Sequence, residues 1–157
     1  MADITTFLTF NDQAEAAANL YVSLFDGKLV STMRLGEGGP APKGTVLSVT
    51  FELLGKTYYA MNGGPHFSFS QGISLFVSCD TQAEIDRYYD KLRADGGKEL
   101  QCGWVSDKFG VVWQIVPRTL QSLIGDPDPK KAGRAMQAML QMKKLDLAAL
   151  KRAHAGA

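Results

Sequence analysis

The sequence predicts an α+β fold of two tandem β-α-β-β-β modules followed by C-terminal helices. The first observation is that one order of elements occurs twice: a β-branched and aromatic run, a helix-start signal, an apolar helical repeat and a hairpin centred on glycine. The second is that Gln-Ala-Glu recurs at an offset of 69 residues, since it begins at Gln13 and again at Gln82 (82 − 13 = 69). At the same offset Phe7 corresponds to Phe76. An internal duplication explains both observations.

The first module occupies about residues 1–64 and begins with a strand predicted over residues 4–11. Asp12, with Glu15 three positions later, resembles a capping box and predicts a helix start. A further strand and a loop rich in glycine and proline follow this helix. Two strands joined through Gly55 then form a predicted hairpin.

The second module, about residues 71–117, repeats this order. A strand over residues 73–79 precedes Thr81 and Glu84, a second capping signal. The helix after it leads to a hairpin whose central glycine is Gly110. At 157 residues the chain is long enough for one domain with two packed halves and too short for two independent domains.

The C-terminal tail, residues 118–157, is predicted to form three helices. They cover residues 120–124, 130–142 and 146–153, and Asp128 caps the second with Pro129 at the first helical position. An apolar side predicts packing on the domain or on a second subunit. Its residues are Met136, Met139, Leu140, Leu147 and Leu150.

The composition is that of an ordinary globular protein, with 45% hydrophobic residues, 21% charged residues and a net charge of +1. This charge argues against nucleic-acid binding, and the chain has no apolar run of the roughly 18 residues that a membrane span needs. The N-terminus lacks the pattern of a signal peptide. Cys79 and Cys102 are too few for a disulfide framework, so we expect a cytoplasmic protein. The one basic cluster is expected to be a solvated helix face: Lys143, Lys144, Lys151 and Arg152.

Three segments carry a resemblance to a known family: "LYVSLFDGK", "AMNGGPHFSFSQGISLFVSCD" and "QCGWVSDKFGVVWQIVPRTL". They are similar to the PhnB-like branch of the vicinal oxygen chelate superfamily, which includes glyoxalase I, extradiol dioxygenases and bleomycin-resistance proteins. Many members of the branch carry the label demethylubiquinone methyltransferase, and the tail "AMQAMLQMKKLDLAALKRA" is also similar to this branch. The resemblance implies one glyoxalase-like domain over residues 1–157, a half-open barrel and a homodimer. The only candidate for a methyl-donor loop, "GEGGPAPKG", is broken by proline and opens no helix.

The superfamily takes its metal ligands from the first and last strands of each module, typically as His, Gln or Glu. Transferred to this sequence, the pattern gives Thr6 (or Thr5), Tyr59, Ser74 (or Leu75) and Gln114. These side chains offer neutral oxygens, which are weak ligands for a divalent metal. We therefore expect a ligand cavity without a metal and without another cofactor.

Two alternatives assign chemistry to other residues. His66, in the connector between the modules, could bind a metal with Gln114 and with either Glu52 or Asp107. His66 could also activate Cys102 as a nucleophile, although a buried structural cysteine is the more common case.

Aromatic residues of the two hairpins, including Trp104, could line the cavity or pack in the core. Strand alternation predicts Tyr59 and Gln114 on one side of their strands and Tyr58 and Trp113 on the other.

The first functional hypothesis is therefore a small-molecule-binding protein or a metal-independent enzyme, with no commitment on catalysis and none on the ligand. Two alternatives stay open: a metal-dependent lyase, isomerase or dioxygenase of the glyoxalase type, and a resistance protein that sequesters a drug without catalysis. The candidate ligand-binding residues are Thr6, Tyr59, Ser74, Gln114, His66 and Trp104.

Overall fold

The computed structural model describes residues 1–157 and divides the chain into two compact units, Met1–Ser68 and Phe69–Ala157. The division falls inside the predicted connector. Each unit contains one β-α-β-β-β module, and the C-terminal helices belong to the second unit. The duplication and the α+β class are thereby confirmed, whereas a single domain over the whole chain stays a prediction.

The sheet of the first unit has the strand order β1-β4-β3-β2. β1 pairs with β4 in parallel, and the other pairs are antiparallel. The turn between β3 and β4 contains Leu54 and Gly55, both with positive φ, as the predicted hairpin requires. The elements are β1 (Thr6–Phe10), α1 (Ala14–Leu24), β2 (Lys28–Arg34), β3 (Val46–Leu53) and β4 (Lys56–Asn62).

The second unit repeats this topology, with the strand order β5-β8-β7-β6 and a parallel β5-β8 pair. Its module consists of β5 (Leu75–Cys79), α2 (Gln82–Arg93), β6 (Lys98–Glu99), β7 (Trp104–Ser106) and β8 (Val112–Pro117). The tail forms α3 (Leu120–Ile124), α4 (Pro129–Leu140) and α5 (Leu147–Ala155), close to the predicted bounds. None of the helices has the length and apolar character needed to span a bilayer.

Each sheet has one face covered by its own helix. In the first unit, Leu8 and Phe10 of β1 and Phe51 of β3 are buried, and Tyr21 of α1 contacts Phe51 at a ring-centroid distance of 6.2 Å. In the second unit, α2 contributes the buried Ile85, which is fully covered. The period of two along a strand directs alternate side chains to the opposite face, which is called the open face here although the tail covers it at Val116 of β8.

The predicted capping box at Asp12 is wrong. Helix α1 begins after Gln13, which makes no side-chain cap. The amide N–H of Ala14 instead donates to Oδ1 of Asn62 at 2.8 Å, and Nδ2 of Asn62 donates to the carbonyl oxygen of Val46 at 3.1 Å. A residue 48 positions away therefore satisfies the helix start, which local spacing cannot reveal.

The other two predicted caps are confirmed. Oγ1 of Thr81 accepts a hydrogen bond from the amide of Glu84 at 3.2 Å at the start of α2. Oδ1 of Asp128 accepts from the amide of Lys130 at 2.9 Å, and Pro129 is the first residue of α4. Short-range rules hold where the cap lies within one turn of the helix.

The tail is attached to the second module by side chains of α2. Nε2 of Gln82 donates to the carbonyl oxygen of Leu145 at 3.0 Å, and Oε1 of Gln82 accepts from the amide of Leu147 at 2.8 Å. Nζ of Lys144 forms ion pairs with Asp86 at 3.2 Å and Asp90 at 2.8 Å. The expectation that Lys144 is only solvated is therefore wrong.

The apolar side of the tail is confirmed in part. Leu145 and Leu150 are fully buried and form a small core with Val116, against which Met139 packs. Leu140 contradicts the prediction, because 48% of its surface is exposed at the last residue of α4.

We expect Tyr89→Phe to leave the free energy of unfolding unchanged or to raise it. The hydroxyl of Tyr89 is buried without a hydrogen-bond partner, and its burial raises the pKa of Tyr89 to about 12. An unpaired buried polar group costs about 1–3 kcal/mol, which phenylalanine avoids. Tyr89→Leu, which also removes ring packing, should be clearly less stable. Urea unfolding measures both, and a loss of stability in Tyr89→Phe would show that the hydroxyl has a partner.

Candidate functional site

The hairpin of β7 and β8 is organised by one buried carboxylate, that of Asp107. Oδ1 of Asp107 accepts hydrogen bonds from the amides of Phe109 at 2.9 Å and Val111 at 3.1 Å. Oδ2 accepts from Nε1 of Trp113 at 2.9 Å. Trp113 is thereby fixed on the helix-covered side of β8, where it is 2% exposed. Because neighbouring residues of a strand face opposite sides, Gln114 is directed to the open face.

The open face of the second sheet brings together three of the predicted site residues, Ser74, Gln114 and Trp104. Nε2 of Gln114 donates a hydrogen bond to Oγ of Ser74 at 2.9 Å. Gln114 pairs in register with Phe76 of β5 and with Trp104 of β7, so the three side chains share this face. Phe76 is 52% exposed and Trp104 is half-buried. Of the alternatives Ser74 and Leu75, the structure places Ser74 beside Gln114.

The open face of the first sheet is aromatic. Tyr59 is 38% exposed and pairs in register with Phe7, which is 54% exposed, at a ring-centroid distance of 6.0 Å. Thr6 instead pairs with Tyr58 and has the parity of the buried Leu8. Thr6 therefore lies on the side of Tyr58 and not, as predicted, on the side of Tyr59. An error of one residue in the register reverses the side to which a strand residue points.

Sequence reasoning did not select Phe7 and Phe76 as site residues. The two occupy equivalent places, since Phe7 pairs with Tyr59 and Phe76 pairs with Gln114. Their correspondence at an offset of 69 residues was visible in the repeat (76 − 7 = 69). An aromatic residue retained in the first strand of both modules, at a half-exposed place, was the signal that could have identified them.

The remaining candidates lie elsewhere. His66 is exposed in the segment after β4. Cys102 is half-buried, so the preference for a buried structural cysteine is wrong for this residue, because it lies in a turn and not in a strand. Cys79 is the buried thiol, and burial raises its pKa to about 12.

The residues at the transferred positions do not fit a divalent metal. Gln114 is neutral, and Ser74 already accepts its hydrogen bond. Asp107, proposed as a carboxylate ligand beside Gln114, has both oxygens occupied on the other side of the strand. Glu52 forms an ion pair with Lys28 at 3.0 Å. The structure contains no group of three or more His, Cys, Asp or Glu side chains that could hold a metal ion.

We expect Asp107→Asn to lower the free energy of unfolding by about 2 kcal/mol, because the new amide group would oppose the N–H of Trp113 and leave a buried donor unpaired. Asp12→Asn, an exposed change of the same kind, is the control. Urea unfolding with a double-mutant cycle to Trp113→Phe measures the coupling of the two side chains. Equal stability of Asp107→Asn and wild type would contradict the role of this carboxylate.

Comparisons with known proteins identify the family and agree with the fold. A family model described as 3-demethylubiquinone-9 3-methyltransferase matches residues 2–116. A PhnB protein from Bacillus cereus, described as a putative 3-demethylubiquinone-9 3-methyltransferase, is 39% identical over 74% of this chain and 98% of that chain, with a TM-score of 0.67. A search of curated proteins found no match.

Two more distant structures share the fold. A protein from Pseudomonas aeruginosa is 22% identical, covers 74% of this chain and 97% of that chain, and has a TM-score of 0.61. The fosfomycin resistance protein FosX from Mesorhizobium loti is 14% identical, covers 74% of this chain and 90% of that chain, and has a TM-score of 0.54. With 73% of the chain inside the family model (115 of 157 residues), the protein belongs to the family described as 3-demethylubiquinone-9 3-methyltransferase, a PhnB-like branch of the vicinal oxygen chelate superfamily.

Proposed function

We propose that the protein binds a small polar aromatic molecule on the open face of its second sheet, without a metal. The observation that carries the proposal is the hydrogen bond from Gln114 to Ser74, which places a neutral amide and a hydroxyl on a half-exposed face. Phe76 and Trp104 lie on either side of Gln114 in the register. Small-molecule sites are usually lined by apolar and aromatic side chains with a few placed polar groups.

The polar pair can orient a ligand without changing its own charge. When Nε2 of Gln114 donates to Oγ of Ser74, the amide oxygen of Gln114 is left to accept and the hydroxyl proton of Ser74 is left to donate. A ligand hydroxyl can therefore be bound from two directions, and a ligand carbonyl can accept from the hydroxyl of Ser74. The aromatic side chains Phe76 and Trp104 supply ring contacts beside it.

This arrangement supports binding, and it supports catalysis only of reactions that neutral hydrogen-bond donors can assist. Members of the superfamily that use a metal polarise the substrate with it, whereas here the hydroxyl of Ser74 would do so more weakly. The participation of Tyr59 and Thr6 of the first module in the same site stays a prediction of the resemblance, as does a role for His66.

We further propose a homodimer in the cytoplasm. The first unit exposes a set of apolar side chains that a second copy would cover, on β1 and on the edge strand β2, whose seven residues are all exposed. These side chains are Phe7, Leu29, Val30 and Met33.

We expect a ligand found by thermal-shift screening of small aromatic carbonyl and hydroxyl compounds to depend on Gln114. Gln114→Leu removes the amide and should weaken binding about tenfold, the value of one hydrogen bond. Gln121→Leu, an exposed glutamine of α3, is the control. Equal affinity in Gln114→Leu would contradict the site. Conversion of the bound compound would identify an enzyme, and unchanged recovery would identify a sequestering protein.

We expect the protein purified without chelators to contain no stoichiometric zinc, nickel, manganese or iron. Gln114→Glu adds a carboxylate at the transferred ligand position and should raise the affinity for Mn²⁺, because charged oxygen ligands bind divalent ions more strongly than amides. Elemental analysis and Mn²⁺ titration measure both. One bound metal per wild-type chain would support a metal-dependent enzyme instead, and no gain in Gln114→Glu would argue against the equivalence of this position.

A further inference from the structure

A cavity of about 500 Å³ lies in the second unit, beside the open face that carries Gln114. One wall is the turn that leads into β7, with Cys102 and Trp104, and the other includes Lys143 of the tail. Glu99 of β6 also lines it. The part of the wall contributed by Lys143 lies beyond the residues that match the family model, which end at residue 116.

The turn that forms this cavity is held by the tail. The amide of Cys102 donates to the carbonyl oxygen of Met142 at 2.9 Å, and the amide of Gly103 donates to that of Lys143 at 2.7 Å. Cys102 and Gly103 both have positive φ, and a Cβ added at Gly103 would lie 2.8 Å from the carbonyl oxygen of Ile115. Only glycine fits there, so the backbone of Lys143 is fixed beside the turn that carries Trp104.

The cavity presents groups that lack protein partners, in contrast to residues of the same type elsewhere in the second unit. Nε1 of Trp113 donates to Asp107, whereas the indole N–H of Trp104 has no hydrogen bond. Lys144 forms two ion pairs, whereas Lys143 forms none. A half-buried aromatic ring and an unpaired cation that line the same cavity are complementary to a ring that carries a negative charge.

We propose that this cavity binds a small planar aromatic acid, with the ring on Trp104 and the carboxylate at Lys143. Glu99 repels an anion from its own side of the cavity and so directs the acid group towards Lys143. The proposal rests on the proposed function, because Trp104 is common to both sites. It adds a negative charge on the ligand, which the neutral pair of Gln114 and Ser74 does not specify.

The test uses 2-naphthoate and the rate at which iodoacetamide alkylates Cys102. Cys102 lines the cavity, so a bound ligand should slow its alkylation, whereas the buried Cys79 should stay unreacted and serves as an internal control. We expect Lys143→Gln to weaken protection about fivefold, the value of a partly exposed ion pair, and Glu99→Gln to strengthen it. Lys151→Gln, an exposed change on α5, should leave protection unchanged.

Two further arms make the outcome specific. Neutral 2-naphthalenemethanol should protect Cys102 less than 2-naphthoate in wild type and equally in Lys143→Gln. Absence of protection by millimolar 2-naphthoate, or equal protection in wild type and Lys143→Gln, would overturn the proposal. A Gln114-dependent thermal shift without naphthoate protection would overturn this inference alone, and naphthoate protection without a Gln114-dependent ligand would overturn the proposed function alone.

Discussion

The hydrogen bonds accepted by Asp107 are the constraint on which the rest of the second unit depends. A carboxylate buried in a turn is unfavourable unless donors surround it, and here two backbone amides and the indole of Trp113 do so. These bonds set both the turn and the side to which β8 directs Trp113. The strand period then fixes Gln114 on the opposite side, next to Ser74. The position of the proposed site thus follows from the hydrogen bonds that satisfy the charge of Asp107.

The two modules share one arrangement of strand residues but present different chemical groups on it. Phe7 and Phe76 occupy the same place in the first strand of each module, and each pairs with a residue four positions after a hairpin glycine. In the first unit that residue is Tyr59 and in the second it is Gln114. The first sheet therefore has an aromatic pair on its open face, and the second has an aromatic residue beside an amide. The strand register is the same in both modules, and the amide is found in only one of them.

Sequence rules predicted the features that depend on residues close together in the sequence and missed a feature that depends on a residue far away in the sequence. The order of elements, the Thr81 cap and the side of Gln114 follow from spacings of a few residues, and all three are present. The cap of α1 could not be predicted, because the acceptor at the helix start is Asn62 of β4, 48 positions away in sequence. The facing of Thr6 failed because a strand can be read one residue out of register without any change in its composition.

The tail is the part of the chain for which family membership says least. The PhnB protein of Bacillus cereus is covered over 98% of its length by 74% of this chain, and the family model ends at residue 116. Yet Gln82, inside the matched region, is bound to the backbone of Leu145 and Leu147, outside it. A helix inside the matched region thus fixes the tail, and the tail in turn holds the Cys102–Gly103 backbone. Because a ligand site that includes Lys143 needs both parts, its specificity has to be determined on this chain and cannot be transferred from a family match that ends at residue 116.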